Sequence, residues 1–308
     1  MRLTAALEYE HGVHDVGQVD RLMAWIGCTL GWRSMDSRNE SEQVFEQYLD
    51  LNGYQGKWSY EPSLPGKTKR PDYLLDLSDK KHLFEVKELR AKSNQRTDAA
   101  HTNPYAGLRS EISEGRKKFK EFKDCSCSLV VYRMGDRNTI LEPQFVLAAM
   151  LGNLGIGADL GSAGQPVKAS MRNEFLTGGK MIDQKHKRRQ NTTINAVVVL
   201  EKLLDNRNVQ RAMNEQMRRQ GRAFTEPEKV GVRLKLHEEH SVETVPRVIT
   251  VENPFARIPL PEDLFRGPFD ERWRWMEKQN GKIRRVFAGD SLRELEALDG
   301  DNPWDRLP

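Results

Sequence analysis

Between Arg70 and Arg90 the chain reads RPDYLLDLSDKKHLFEVKELR, a pattern with few structural solutions. The runs YLLDL and HLFEV are rich in strand formers, and the segment Ser78, Asp79, Lys80, Lys81 between them has the polar composition of a tight turn. A β-hairpin follows. Pairing Leu77 with His82 sets Asp72 opposite Lys87 and Leu74 opposite Glu85. Side chains alternate faces along a strand, so Asp72, Glu85 and Lys87 leave on one side. Tyr73, Leu75, Phe84 and Val86 leave on the other and can enter a core.

Two carboxylates and an amine on one sheet face have a chemical use. Hard oxygen ligands suit Mg²⁺, which polarises a phosphoryl oxygen and lowers the pKa of a bound water. Lys87 beside that water can orient it and offset charge building at phosphorus. Phosphodiester hydrolysis is the expectation. On its own, Glu-x-Lys on a strand face is usually a solvated pair of little energetic worth. Here the pair sits inside an apolar strand, and an upstream helix offers a further carboxylate.

That helix is NESEQVFEQYLDLNGY, residues 39 to 54, where Val44, Phe45, Tyr48, Leu49 and Leu51 recur at helical spacing and Gly53 marks the stop. Glu42 and Glu46 lie four apart beside the apolar stripe, and either could point over the sheet. The order of these pieces resembles the PD-(D/E)xK nuclease superfamily: a helix with Glu42, then RPD at 70–72, then FEVKEL at 84–89. The resemblance covers about half the chain. It implies an α/β fold with a restriction-endonuclease-like core, a central mixed sheet flanked by helices. It also implies that Asp72, Glu85, the Val86 carbonyl and a helix glutamate hold Mg²⁺ (or Mn²⁺), while Lys87 acts on the attacking water. Glu42 is preferred to Glu46 because EQVFEQYLDLNGY is similar to the first helix of archaeal Holliday junction resolvases. The implied activity is that of a deoxyribonuclease, most naturally an endonuclease. A catalytically silent nucleic-acid-binding or scaffold protein on the same fold, or an RNA nuclease, is the alternative, since a fold fixes chemistry better than substrate.

The following elements continue in the expected order. Residues 104–123 space Leu108, Ile112, Phe119 and Phe122 along one helical face, and CSLVVYRM at 127–134 reads as a buried strand. With WSYEP at 58–62 as a first strand, the succession is helix, three strands, helix, strand. A helix from about Pro143 to Leu151, a glycine-rich loop and an interior strand from Ile194 to Leu200 complete a core spanning 39–205. Residues 1–38 form an N-terminal extension with a helix-like VDRLMAWIGCTLGW. Residues 206–308 hold a helix closed by Gly221, strands VRLKL and RVITV, a Pro/aromatic-rich arm suited to packing over the core or across a partner subunit in a homodimer, and a loose acidic tail.

With 308 residues, 37% hydrophobic and 31% charged, the chain has the composition of a polar globular protein, and its net charge of +4 is mild. Its basic residues are clustered, however. Arg109, Arg116 and Lys117 on the helix, and Lys187, Arg188 and Arg189 in KHKRRQ, are the candidate contacts to nucleic acid, DNA preferred. Three cysteines make no disulfide framework, which points to a reducing cytoplasm. No apolar run approaches the roughly 20 residues of a membrane helix. HEEH at 237–240 lacks the spacing of the helical zinc motif and is expected in an exposed turn, and there is no phosphate-binding loop for ATP.

Overall fold

A computed structural model of the chain describes residues 38–77, 80–89, 105–133, 141–157, 172–175, 178–183, 188–240, 242–276 and 282–300. By packing, the chain divides into residues 1–39 and 40–308, and every element named below belongs to the second unit. The stretch VDRLMAWIGCTLGW lies outside the described residues.

The helices are α1 Glu40–Leu51, α2 Ala106–Phe119, α3 Pro143–Leu151, α4 Arg207–Gln220, α5 Glu226–Glu239 and α6 Asp290–Gly300. The main sheet uses β1 Trp58–Tyr60, β2 Tyr73–Leu77, β3 Lys80–Leu89, β4 Ser126–Arg133, β9 Ile194–Asp205, β10 Glu243–Glu252, β11 Glu271–Met276 and β12 Lys282–Ala288. They lie side by side in that order, eight strands in all. Smaller pairs are formed by β5 Leu154–Gly157 with β6 Arg172–Phe175, and by β7 Ile182–Asp183 with β8 Arg188–Arg189. The architecture is α/β with a mixed sheet flanked by helices. Among the described residues no helix is long and apolar enough to cross a membrane.

The hairpin forms where the alternation places it, with a different register. Leu75 faces His82 and Leu77 faces Lys80, so only Ser78 and Asp79 connect the strands. The expected pairing was two residues out. A shift of two preserves every side chain's face, and carrying the observed register one residue further sets Asp72 level with Glu85. Strand β3 then runs parallel to β4, with Glu85 opposite Leu129, and α2 supplies the crossover. Parallel pairing buries β4 on both faces, as the unbroken apolar run of that strand requires.

Two cores result, one on each side of the sheet. On one side α1 lays Val44, Phe45, Tyr48 and Leu49 against Tyr73, Leu75, Phe84 and Val86, joined by Leu264 and Phe265. The Phe45 ring meets those of Tyr73 at 5.2 Å and Phe84 at 5.4 Å, edge on; such pairs contribute roughly 0.5–1.5 kcal/mol each beyond burial. On the other side α2 and α3 cover Leu83, Leu129, Val131, Val197 and Val199. The sheet face opposite α1 therefore carries the charged side chains of the hairpin.

The C-terminal third departs most from expectation. VRLKL at 232–236 is helix, part of α5, and His237 belongs to its last turn rather than to an exposed loop after a strand. The cause lies just upstream: the Thr225 backbone N–H donates to the Glu228 carboxylate at 2.8 Å, and Pro227 sits in the first turn, a start signal for a helix. RVITV falls in β10 as expected. The aromatic arm supplies β11 at the place where a packed arm was expected, β12 follows it, α6 forms where a loose tail was expected, and part of the glycine-rich loop pairs as β5.

Candidate active site

Pro71 is buried where the chain enters β2, and its fixed φ delivers Asp72 to the head of the strand. One Asp72 carboxylate oxygen, Oδ2, accepts the backbone N–H of Val86 at 2.8 Å, locking the aspartate against β3. The other, Oδ1, accepts a hydrogen bond from the Lys118 ammonium at 2.6 Å. Glu85, buried in β3, has Oε1 at 2.7 Å from Lys87 Nζ and Oε2 at 2.5 Å from Lys118 Nζ. Lys118 thus bridges the two carboxylates. The buried Oε2 is met by the Lys118 ammonium, and Oε1 by that of Lys87.

The electrostatics follow from the burial. Glu85 is only 3% exposed as a side chain, and burial first, then the charge of Asp72, push its carboxyl above the usual range against the pull of Lys118 and Lys87. Burial works against the Lys118 ammonium, yet its hydrogen bonds and charge contacts with Asp72 and Glu85 prevail and hold it above its ordinary value. Burial raises Glu111 on α2 as well, opposed by Lys87. The four groups Asp72, Glu85, Lys87 and Lys118 balance two negative charges with two positive ones. Glu85, Lys87 and Lys118 border a cleft of about 440 Å³ whose other walls are Lys69, Arg70, Glu114 and Lys117.

The structure brings Asp72, Glu85 and Lys87 together, and Glu42 and Glu46 make other hydrogen bonds. The helix α1 packs on the opposite sheet face, where the Tyr60 hydroxyl donates to Glu42 at 3.4 Å and the Tyr73 hydroxyl to Glu46 at 2.8 Å. Among the described residues no three His, Cys, Asp or Glu side chains converge as a metal-holding group. Tyr60 nonetheless feels both carboxylate sets: burial, Glu42, Glu61 and Asp72 push its hydroxyl up to about 12.

The candidate nucleic-acid contacts separate in the same way. Arg109 is buried, its guanidinium donating to the Ala148 carbonyl at 2.9 Å and to Asn153 at 2.8 Å, so it ties α2 to α3 instead of facing solvent. Gly178, at φ +97°, leaves room for it; a Cβ there would stand 2.8 Å from the guanidinium. Arg116 and Lys117 are exposed, and Lys117 pairs with Glu114 at 2.7 Å. Lys187 lies outside the described residues, Arg188 pairs in β8, and the Arg189 guanidinium lies 5.5 Å from the Phe255 ring centroid.

Lys118 is the site residue that the hairpin pattern could not supply. A signal exists in the helix itself: Leu108, Ile112, Gly115 and Phe119 form the buried stripe of α2, and Lys118 and Glu111 flank it seven residues apart, on the same edge. No family model matches this chain, and neither a curated protein nor a solved structure does.

Proposed function

We propose that this chain is a divalent-metal-dependent nuclease that hydrolyses phosphodiester bonds, in DNA by preference, from a restriction-endonuclease-like core. The observation that carries the reading is the convergence of Asp72, Glu85, Lys87 and Lys118, the last three of which line a basic cleft. Two carboxylates, one of them buried, that face each other across a shared cation offer the hard oxygen ligands a divalent ion takes. Asp72 and Glu85 would hold Mg²⁺ or Mn²⁺, with the Val86 carbonyl added by the resemblance to PD-(D/E)xK nucleases. The bound ion would supply Lewis-acid polarisation and a water of lowered pKa. Lys87, held against Glu85, can donate to that water and stabilise charge developing on the phosphorus oxygens. The Val86 N–H fixes Asp72, so one ligand is positioned by backbone. A cytoplasmic location accords with the cysteine usage.

The test is cleavage of plasmid, linear, branched and single-stranded DNA, and of RNA of matched sequence, with the metal varied. Lys87→Ala and Asp72→Ala should each lower metal-dependent cleavage by at least about a hundredfold, the order expected for a transition-state electrostatic group. Full cleavage by folded Lys87→Ala protein would overturn the reading. A second reading, a silent nucleic-acid-binding protein, is favoured by the Lys118 bridge, which neutralises the carboxylate pair without an ion. Calorimetry with Mn²⁺ separates the two, because the silent protein would bind DNA and take up no metal at this pair.

A further inference from the structure

Two hollows extend the basic cleft along the C-terminal half of α2. The first, about 480 Å³, is walled by Gly66, Lys67, Thr68, Lys120 and Lys123 with their acidic neighbours. The second, about 180 Å³, is walled by Arg116, Lys120, Lys123 and the turn at Asn191, Thr192 and Thr193. The pieces are walled by neighbouring residues. The cleft at the carboxylate pair ends on Lys69 and Arg70, the first hollow begins on residues 66–68 of the same segment, and both hollows share Lys120 and Lys123.

This segment is built onto the helix. The Glu121 carboxylate accepts the Thr68 N–H at 2.9 Å, the Thr68 hydroxyl at 2.8 Å and the Lys69 N–H at 3.3 Å. The Lys67 ammonium donates to the Glu121 carbonyl at 2.7 Å, and that of Lys69 to the Lys117 carbonyl. Glu121 is thus engaged in holding the loop. Glu114 is likewise answered by Lys117. Along the path Lys120 and Lys123 are exposed, with Arg116 beside them, and Asp124 is the exposed acid among them.

We infer that this path from residues 66–70 across Lys120 and Lys123 to the 191–193 turn holds the sugar-phosphate backbone of the DNA strand that enters the cleft, without reading its bases. Ammonium groups and threonine hydroxyls commonly contact phosphate and sugar, and the one amide on the path, Asn191, spends its nitrogen on the Lys180 carbonyl. The inference rests on the nuclease reading and adds to it the surface that carries the substrate and the absence of sequence preference.

The experiment is fluorescence anisotropy of a labelled DNA duplex with full-length protein and no divalent metal, as a function of salt. It compares wild type, Lys120→Gln/Lys123→Gln, and Arg218→Gln/Arg219→Gln, which alters an exposed basic pair on α4. The first variant should bind at least about tenfold more weakly and lose about 0.9 from the salt slope for each lysine, while the α4 variant matches wild type. A second duplex of unrelated sequence should bind with the same Kd. An unchanged slope in folded Lys120→Gln/Lys123→Gln protein, equal losses in both variants, or strong preference for one duplex would overturn the path. Wild-type protein that binds in this way and cleaves nothing would instead sink the nuclease reading and leave the path standing.

Discussion

At the residue scale, the hairpin chemistry was legible because parity is robust. The expected register was wrong by two, yet Asp72, Glu85 and Lys87 share a face in either pairing. Lys118 and Arg109 were not legible, because their surroundings depend on how α2 is rotated against the sheet. Gly115 helps to set that rotation: a Cβ there would press to 3.3 Å from Leu129. His82 carries a further consequence of the fold. It is buried on β3 with Nδ1 lacking a hydrogen-bond partner, and burial lowers its pKa, with Asp263 and Asp76 pulling upward and Lys80 downward. Above the ordinary value of 6.5 both folded and unfolded chains hold His82 neutral, so it has no effect on stability there. As pH falls below 6.5 the unfolded chain takes up the proton first, and stability is lost until the lowered folded value is reached. Urea unfolding at pH 7 and pH 5 should therefore show a larger loss for wild type than for His82→Gln. Parallel losses would show that the buried imidazole takes no part.

At the element scale, the core order from α1 to β4 and the helix α3 were readable, because each segment has one clear period and a stop signal. The segment at 232–236 was misread for a physical reason: VRLKL alternates as a strand would, and five residues cannot outweigh the helix start at Thr225 and Glu228. The two periods make opposite claims about burial. A strand would set Val232, Leu234 and Leu236 on one face, whereas α5 buries Leu236 against Val209, Met213 and Met217 and leaves Leu234 63% exposed. Leu236→Ala should cost about 2–5 kcal/mol in chemical denaturation. Leu234→Ala should stay within about 0.5 kcal/mol, the range of an ordinary surface change. Equal large losses at both positions would contradict the helical phase.

At the scale of the whole described unit, the strands that follow Asp205 join the same sheet as those before it. Strand β10 pairs with ten residues of β9, and β11 and β12 extend the same sheet. The return segment also holds α1 in place. Asp270, buried between them, accepts the Tyr48 hydroxyl at 2.5 Å, the Val248 N–H at 3.0 Å and the Gly267 N–H at 2.6 Å, while the Phe265 ring packs on those of Tyr48 and Phe84. These links were hidden because Pro and aromatic residues spread over 253–275 show neither helical nor strand period, and long-range pairing of β10 with β11 leaves no local trace. A chain ending at Asp205 would expose the whole edge of β9, an unpaired row of backbone donors and acceptors that invites aggregation. It would also strand the Tyr48 hydroxyl and bare the aromatic cluster on α1. Full-length protein should unfold in one transition by circular dichroism and tryptophan fluorescence, and the 1–205 fragment should give an expanded or aggregated state in size-exclusion chromatography. A fragment that stays monomeric and unfolds cooperatively would show that the core closes at β9 and that the C-terminal strands are an addition.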